Sequence, residues 1–347
     1  MQLIWEIWIK RFYGMPKTKT LLSGWLWPFL VLLSLLVLVL APWVGPRLSL
    51  QEVWSRNTSG IGHTIFWEMR VPRVLLAYVA GASLSLCGMC FQGMFRNALA
   101  TPYTLGVSSG ASLGVAIHIY VGGMLTIPGF SGSSAAAFLG AVLTIILVYG
   151  LTGLRGNVTP SVLLLAGVAV SFFFSSLILF FQYLSDFTEL QQLMRWLMGG
   201  LSTVGYTEVK QLFIFCAAGM LLILWQVDAL NLLALGDEFA TSRGVQVAKV
   251  RKLFFFSVSL MVGSVVAFCG PIGFVGMVCP HICRLMVGEN HRRLAPASLL
   301  FGGAFLVICD TVARCLIAPA EIPTGIITAL LGGPFFLWLL FSRRETI

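Results

Sequence analysis

The stretch LLSGWLWPFLVLLSLLVLVLA, residues 21–41, is apolar throughout and carries no charged side chain. A hydrocarbon core about 30 Å thick needs about 20 apolar residues of α-helix, because each residue rises about 1.5 Å. Lipid offers no partner to a free backbone amide, so such a segment must form a helix. The stretch therefore predicts a membrane-spanning helix.

Nine further apolar stretches of similar length follow, and short connectors hold almost all the charge. The ten predicted spans are 21–41, 71–93, 105–125, 134–154, 161–183, 209–227, 253–270, 272–287, 297–317 and 322–341. Gly270-Pro271 splits one long apolar run into the seventh and eighth of them. With 58% hydrophobic and 10% charged residues, this 347-residue chain is too apolar for a soluble globule. The pattern predicts an all-α polytopic membrane protein of about ten transmembrane helices, with residues 1–347 forming a single transmembrane domain.

The distribution of basic residues predicts the orientation of the chain. An even number of spans puts both termini on one side, and cytoplasmic segments carry an excess of Lys and Arg. With the termini inside, the inner segments hold 15 of the 22 Lys and Arg residues. Both termini are therefore expected to be cytoplasmic. The formal net charge of +9 reflects this orientation and gives no support to nucleic-acid binding.

The eight cysteines invite a redox or metal interpretation. Cys87 and Cys90 are three residues apart within a predicted span, and Cys279 and Cys283 flank a Pro-His pair. None has the second CxxC or HxxxH expected of a zinc site. The pattern favours packing of small, soft side chains over metal ligation. The chain also lacks GxxxxGK[ST], so it is not expected to bind nucleotide phosphates.

Three arginines are predicted at the outer ends of spans. Arg70 and Arg73 begin the second span, and Arg314 ends the ninth. Such residues can simply orient a helix and extend toward the interface. Alternatively, they form a basic rim that docks an acidic partner and steers its encounter.

Two acidic residues lie in or beside the last two spans. A carboxylate within a span raises the hypothesis of a proton relay. Asp310 lies four residues before Arg314, one helical turn, so an intrahelical ion pair is the favoured interpretation. Glu321 is expected at the interface, where the last helix begins.

The inner segment 229–252 is long enough for a short helix. The helix is predicted to start near Gly236, with Asp237 and Glu238 favourable at its N-terminus and Gly244 ending it. Three apolar residues of this segment could face a partner: Leu235, Phe239 and Val245. The alternative is a solvated connector. A second inner segment, 284–295, is the lesser candidate.

Several sequence blocks, in order, resemble one family closely. They include RVPRVLLAYVAGASLSLCG, FQGMFRNALATPYTLGVSSGASLG, LALGDEFATSRGV, GPIGFVGMVCPHICRLMVGENHRRLAP and EIPTGIITALLGGPFF, between about Arg70 and Arg343. These blocks are similar to the FecCD/BtuC-type permeases, the transmembrane subunits of ABC importers for iron–siderophores, haem and cobalamin.

The resemblance implies a BtuC-like type II importer permease in the bacterial cytoplasmic membrane. It implies a homodimer with a central pathway, driven by two cytoplasmic ABC ATPase subunits that bind the ATP and Mg. A periplasmic or lipid-anchored binding protein would deliver the substrate. The chain itself would be no enzyme and would hold no cofactor or metal.

The resemblance also assigns roles to particular residues. Arg70, Arg73 and Arg314 would dock the binding protein. Asn97 and Leu99 would form the cytoplasmic gate, with Thr159 near a second constriction, and the fifth and tenth spans would line the pathway. Coupling to the ATPase would fall to the 229–252 loop, at Leu235, Gly236, Asp237, Glu238, Arg243 and Gly244.

One gate block departs from the family pattern. The family usually has NPLADP or NPLAEP where this chain has NALATP, so Ala98 replaces a proline and Thr101 an acid. The gate loop is therefore expected to be less rigid and less charged.

Two other functions are alternatives to the importer permease. A secondary transporter driven by an ion gradient would need an essential carboxylate in a span, for which Asp310 is the candidate. A membrane redox enzyme would use the cysteines, with Cys87 and Cys90 as the obvious pair. Neither explains the ordered family resemblance.

Overall fold

The computed structural model describes residues 20–45, 53, 61–123, 130–153 and 160–342. Its helices are α1 (Thr20–Leu40), α2 (Val71–Phe95), α3 (Val107–Tyr120), α4 (Gly132–Gly153), α5 (Pro160–Leu184), α6 (Phe187–Leu197), α7 (Thr207–Trp225), α8 (Val227–Leu235), α9 (Asp237–Ser242), α10 (Val247–Cys269), α11 (Val275–Val287), α12 (His291–Cys315) and α13 (Thr324–Ser342). A π-helical turn, Ile65–Arg70, leads into α2, and a 3₁₀ turn, Ala41–Trp43, follows α1.

The described helices confirm the predicted all-α membrane architecture. Seven are long and apolar enough to cross a membrane, judged by length and composition. Three shorter apolar helices, Val107–Tyr120, Val275–Val287 and Thr324–Leu337, coincide with the third, eighth and tenth predicted spans. Each of the ten predicted spans therefore corresponds to a helix, and the figure of about ten holds.

Helix α2 forms the centre of the bundle, and every residue from Ala80 to Phe95 is buried. It packs closely against α12 and α11 because glycines meet at the crossings. A Cβ at Gly81 would overlap the carbonyl oxygen of Gly302 in α12, and one at Gly88 would overlap that of Gly276 in α11. Where lipid removes the hydrophobic drive between helices, such small residues let the backbones approach and gain van der Waals contact.

The predicted break at Gly270-Pro271 is present and separates α10 from α11. Gly270 has φ +66°, and Phe274 also takes a positive φ of +66°. The extended segment between them is held by Tyr103, whose hydroxyl donates to the Ile272 carbonyl (2.7 Å) and accepts from the Ile272 amide (3.2 Å). Irregular backbone inside a membrane protein requires such internal partners.

Short helices lie in two of the connectors between the spans, one of them the predicted 229–252 segment. Helix α6 begins with a capping box, in which Asp186 and Glu189 bond reciprocally, and Gly199 at φ +67° follows its end. Helix α9 begins after Gly236, as predicted, with Asp237 and Glu238 in its first turn. Gly244 follows it at φ +82°, so its predicted stop is also confirmed.

Candidate functional site

A buried ionic cluster joins α2, α12 and the start of α13. Arg73 lies in the first turn of α2, and its Nη2 and Nε donate to Asp310 of α12 at 2.9–3.1 Å. Arg314 Nε lies 3.3 Å from Asp310 Oδ2, which confirms the predicted intrahelical pair. Thr324 Oγ1 donates to the same carboxylate at 3.0 Å. Asp310 is thus neutralised and hydrogen-bonded, as a buried charge requires.

Arg70 and Arg314 also hold the chain that follows α1. Arg70 Nη1 donates to the carbonyl oxygen of Pro42 at 3.2 Å, and Arg314 Nη2 donates to that of Ala41 at 3.2 Å. These bonds satisfy carbonyls at a helix C-terminus, where the last turn has no intrahelical donors. We call the end of the bundle that carries these residues the arginine end.

At the arginine end, Glu321 is the exposed member of the cluster. Its Oε2 accepts from Arg73 Nη1 at 2.6 Å, and its side chain is 54% exposed, whereas that of Arg73 is 12% exposed. Arg70 and Arg314 are also buried. The docking role of the three arginines stays a prediction. The sequence did not reveal the pairing of Arg73 with Asp310 and Glu321, although a carboxylate within a span always raises the question of its cation.

The predicted gate residues lie at the opposite end of α2. The helix ends at Phe95, and Arg96 takes the left-handed conformation (φ +50°) as its C-cap. Asn97 Oδ1 then accepts from the Leu99 amide at 2.9 Å, so its side chain closes a local turn. Leu99 is exposed. Thr159 lies outside the described residues, and the gate assignment stays a prediction.

The predicted coupling residues lie beside that gate loop. Asp237 of α9 accepts from Arg251 Nη2 at 2.9 Å and lies 4.0 Å from Arg96 Nη2. Of the three apolar side chains predicted to face a partner, Leu235 is 53% exposed and Phe239 is 40% exposed. Val245 is half-buried and packs against the core, so that part of the prediction is wrong. Arg243 lies over the Phe239 ring, 5.4 Å from its centroid. We call this end of the bundle the coupling end.

A further ion pair attaches α8 to the start of α12. Arg292 donates to both carboxylate oxygens of Asp228. The hydrogen bond from Arg292 is the main cause that lowers the pKa of Asp228, and the opposite charge lowers it further. Both side chains are exposed, so the pair contributes little to stability.

Seven of the eight cysteines are buried, and Cys315 is exposed. Cys87 Sγ contacts the Met261 sulfur and the Val258 carbonyl, each at 3.8 Å. In the part of the chain that the structure describes, no three His, Cys, Asp or Glu side chains are grouped so that they could hold a metal ion.

The described structure is thus that of a polytopic helical membrane protein, with an ionic cluster at one end of the bundle and a loop of short helices at the other. Residues 29–342 match the FecCD transport family. The chain belongs to the FecCD family of ABC transporter permeases.

Two curated relatives and one solved structure support that assignment. The hemin transport system permease protein HmuU of Yersinia pestis is 39% identical over 91% of this chain and 95% of its own. The vitamin B12 import system permease protein BtuC of Klebsiella pneumoniae is 38% identical over 92% and 94%. An inward-facing ABC transporter, provisionally assigned to the metal-chelate type, has a TM-score of 0.81 at 33% identity and covers 93% and 99%.

Membership in this family defines the chain as a multi-pass inner-membrane permease component of an ATP-driven importer. It is not itself an enzyme, because ATP hydrolysis belongs to a separate subunit of such systems. The gradient-driven transporter considered from the sequence is not favoured, and Asp310, its candidate carboxylate, is paired with Arg73 and Arg314.

Proposed function

We propose that this chain forms, as a homodimer, the translocation pathway for a bulky metal chelate: an iron–siderophore, haem or cobalamin. Two ATPase subunits would bind at the coupling end, which would face the cytoplasm together with both termini. A binding protein would deliver the chelate to the arginine end. The observation that carries the proposal is similarity along more than nine-tenths of the chain to permeases for hemin and vitamin B12.

The coupling end supports an ATPase contact. Leu235 and Phe239 lie on either side of the break at Gly236, and both expose large apolar side chains. Exposed apolar patches rimmed by polar residues mark protein contacts. The rim is supplied by Glu238 and Arg243, both exposed, and Asp237 anchors α9 to Arg251 of α10. A movement of the partner would therefore reach α10 directly.

The arginine end supports docking of an acidic partner through a single accessible group. Of the three arginines, Arg73 is the least buried, with its side chain 12% exposed, and its Nη1 already donates to Glu321. A carboxylate of the binding protein could replace Glu321 without disturbing the buried bonds from Arg73 to Asp310. Arg70 and Arg314 would then act by holding the surrounding backbone rather than by direct contact.

The pathway would run along α5 and α13, as the family resemblance implies. Helix α5 exposes several large apolar side chains, among them Leu165, Phe172 and Tyr183. An apolar groove of about 480 Å³ lies along α13 and includes Leu330 and Met198. A wide apolar surface suits a chelate that has buried its metal. Asn97 and Leu99 would close the pathway at the coupling end.

The proposal is tested by ATP-dependent uptake in proteoliposomes. The permease is reconstituted with its cognate ATPase and binding protein, and uptake of haem, cobalamin and a ferric siderophore is compared. We expect accumulation of one of them only when ATP, the ATPase and the binding protein are all present. Uptake driven by an ion gradient without ATP would overturn the proposal, and uptake of none of the three would overturn the substrate class.

A further inference from the structure

His291 lies between the C-terminal end of α2 and helix α8, which leads into α9 at the coupling end. It is the first residue of α12, and it is buried. The Asn231 side chain of α8 reaches it through Oδ1, which is 2.9 Å from both the His291 backbone nitrogen and Nδ1. One amide oxygen thus holds the backbone and the ring together.

The hydrogen bonds determine the tautomer of His291. A backbone N–H can only donate, so the Asn231 atom that meets it must be the amide oxygen. Because an oxygen can only accept here, Nδ1 must carry the ring proton, and Nε2 of the neutral ring carries the lone pair. Nε2 is buried and has no hydrogen-bond partner among the described residues. Among the described residues, the ring is therefore hydrogen-bonded to Asn231 of α8 alone.

The unbonded edge of the ring packs against Gly93 of α2. A Cβ at position 93 would lie 2.7 Å from Nε2, closer than any real side chain allows. The imidazole thus occupies the space that a side chain at position 93 would fill. A shift of the ring toward α2 would therefore bring it against the Gly93 backbone, and a shift away would open a space between them.

The contact lies where it can influence the gate. Two residues after Gly93, α2 ends at Phe95, and Asn97 and Leu99 follow. On the other side, α8 ends at Leu235 and continues through Gly236 into α9. A second connection, from Arg96 to Asp237, spans 4.0 Å between half-exposed groups and contributes little rigidity. The Asn231–His291 pair, with two hydrogen bonds of 2.9 Å and a buried histidine, is therefore the stiffer connection.

We propose that Asn231 and His291 are positioning residues that transmit displacement of α8 and α9 to the inner end of α2, and so to the gate residues Asn97 and Leu99. The inference rests on the proposed function, because it assumes that an ATPase moves α8 and α9. Neither residue touches substrate or nucleotide. Their role is to keep the number of gate movements per ATP hydrolysed constant.

The test compares transport with ATP hydrolysis in the complete reconstituted transporter. Asn231→Leu keeps the volume but removes the acceptor, and we expect the substrate moved per ATP to fall by about fivefold or more while ATP hydrolysis continues. Asn231→Asp keeps both accepted bonds and should restore the ratio. Gly93→Ala should lower it as Asn231→Leu does, whereas Gly150→Ala, where a Cβ meets nothing within 4 Å, should not.

A second readout follows the gate itself. A fluorophore on Leu99→Cys, in a Cys315→Ser background, should respond to ATP in the otherwise wild-type complex and lose that response in Asn231→Leu. Equal loss of transport and ATP hydrolysis, or an unchanged fluorescence response, would overturn the inference. If Asn231→Leu fails to fold, Gly93→Ala and Asn231→Asp still decide the matter through the same ratio. Failure of the wild-type complex to transport would instead reject the proposed function.

Discussion

Arg73 of α2 and Asp310 of α12 form a buried, bidentate ion pair, in which Arg73 Nε lies 3.0 Å from Oδ2 and Nη2 lies 2.9 Å from Oδ1. The two residues are 237 positions apart in the chain, so the pair joins distant helices. A planar guanidinium matches a carboxylate in this geometry, so orientation as well as charge is specified. The pair therefore aligns α2, the central helix, with α12.

Asp310→Asn is expected to destabilise the permease strongly. It leaves Arg73 and Arg314 buried with no carboxylate between them, which costs about 3–5 kcal/mol in comparable buried pairs. Denaturant titration of the detergent-solubilised permease measures the loss. Glu321→Gln is the matched control, because this exposed carboxylate should contribute less than about 1 kcal/mol. Equal stability of Asp310→Asn and wild type would contradict the role of the pair.

Glu321→Gln is expected to speed docking of the binding protein. Removing the negative charge of Glu321 weakens its bond to Arg73 Nη1 and lowers the repulsion between the arginine end and an acidic binding protein. The association rate should rise by about threefold at low ionic strength, and the gain should shrink as salt is added. Stopped-flow measurements with the loaded binding protein give this rate. Glu238→Gln makes the same change of charge at the coupling end and should leave it unaltered.

Gly88→Ala is expected to disturb the crossing of α2 and α11. The added methyl would overlap the Gly276 carbonyl, so the helices must separate, at a cost of about 1–3 kcal/mol or more. Thermal unfolding in detergent should occur at a lower temperature. Gly150→Ala adds the same methyl in open space in α4 and should be neutral or slightly stabilising. Equal behaviour of the two variants would argue against close packing at this crossing.

Tyr103→Phe is expected to weaken the interrupted segment between α10 and α11. Without the hydroxyl, the Ile272 amide and carbonyl both lose their partner, and each unsatisfied buried group costs about 1–3 kcal/mol. Hydrogen exchange at residues 270–274 should become faster. Tyr183→Phe, which removes an exposed hydroxyl from α5, is the control. Unchanged protection in Tyr103→Phe would mean that other contacts hold the segment.

Local sequence patterns were enough to predict the helices and the positions where they begin, break and end. Apolar length predicted the ten spans, the Gly270-Pro271 pair predicted the break, and the acidic start and glycine stop predicted α9. Spacing by four residues predicted the Asp310–Arg314 pair. Each of these depends on neighbours along the chain, where sequence distance and spatial distance agree.

What the sequence determined by itself is therefore the class of molecule: a chain of apolar helices that only a membrane can solvate, with blocks typical of one permease family. Only the tertiary structure decided which charges meet and which glycines touch. Arg73 could be paired with Asp310, and Gly93 with His291, only after α2 and α12 were packed side by side. The physical reason is that hydrophobic length acts locally on each helix, whereas ion pairs and steric contacts depend on distances that no single helix contains.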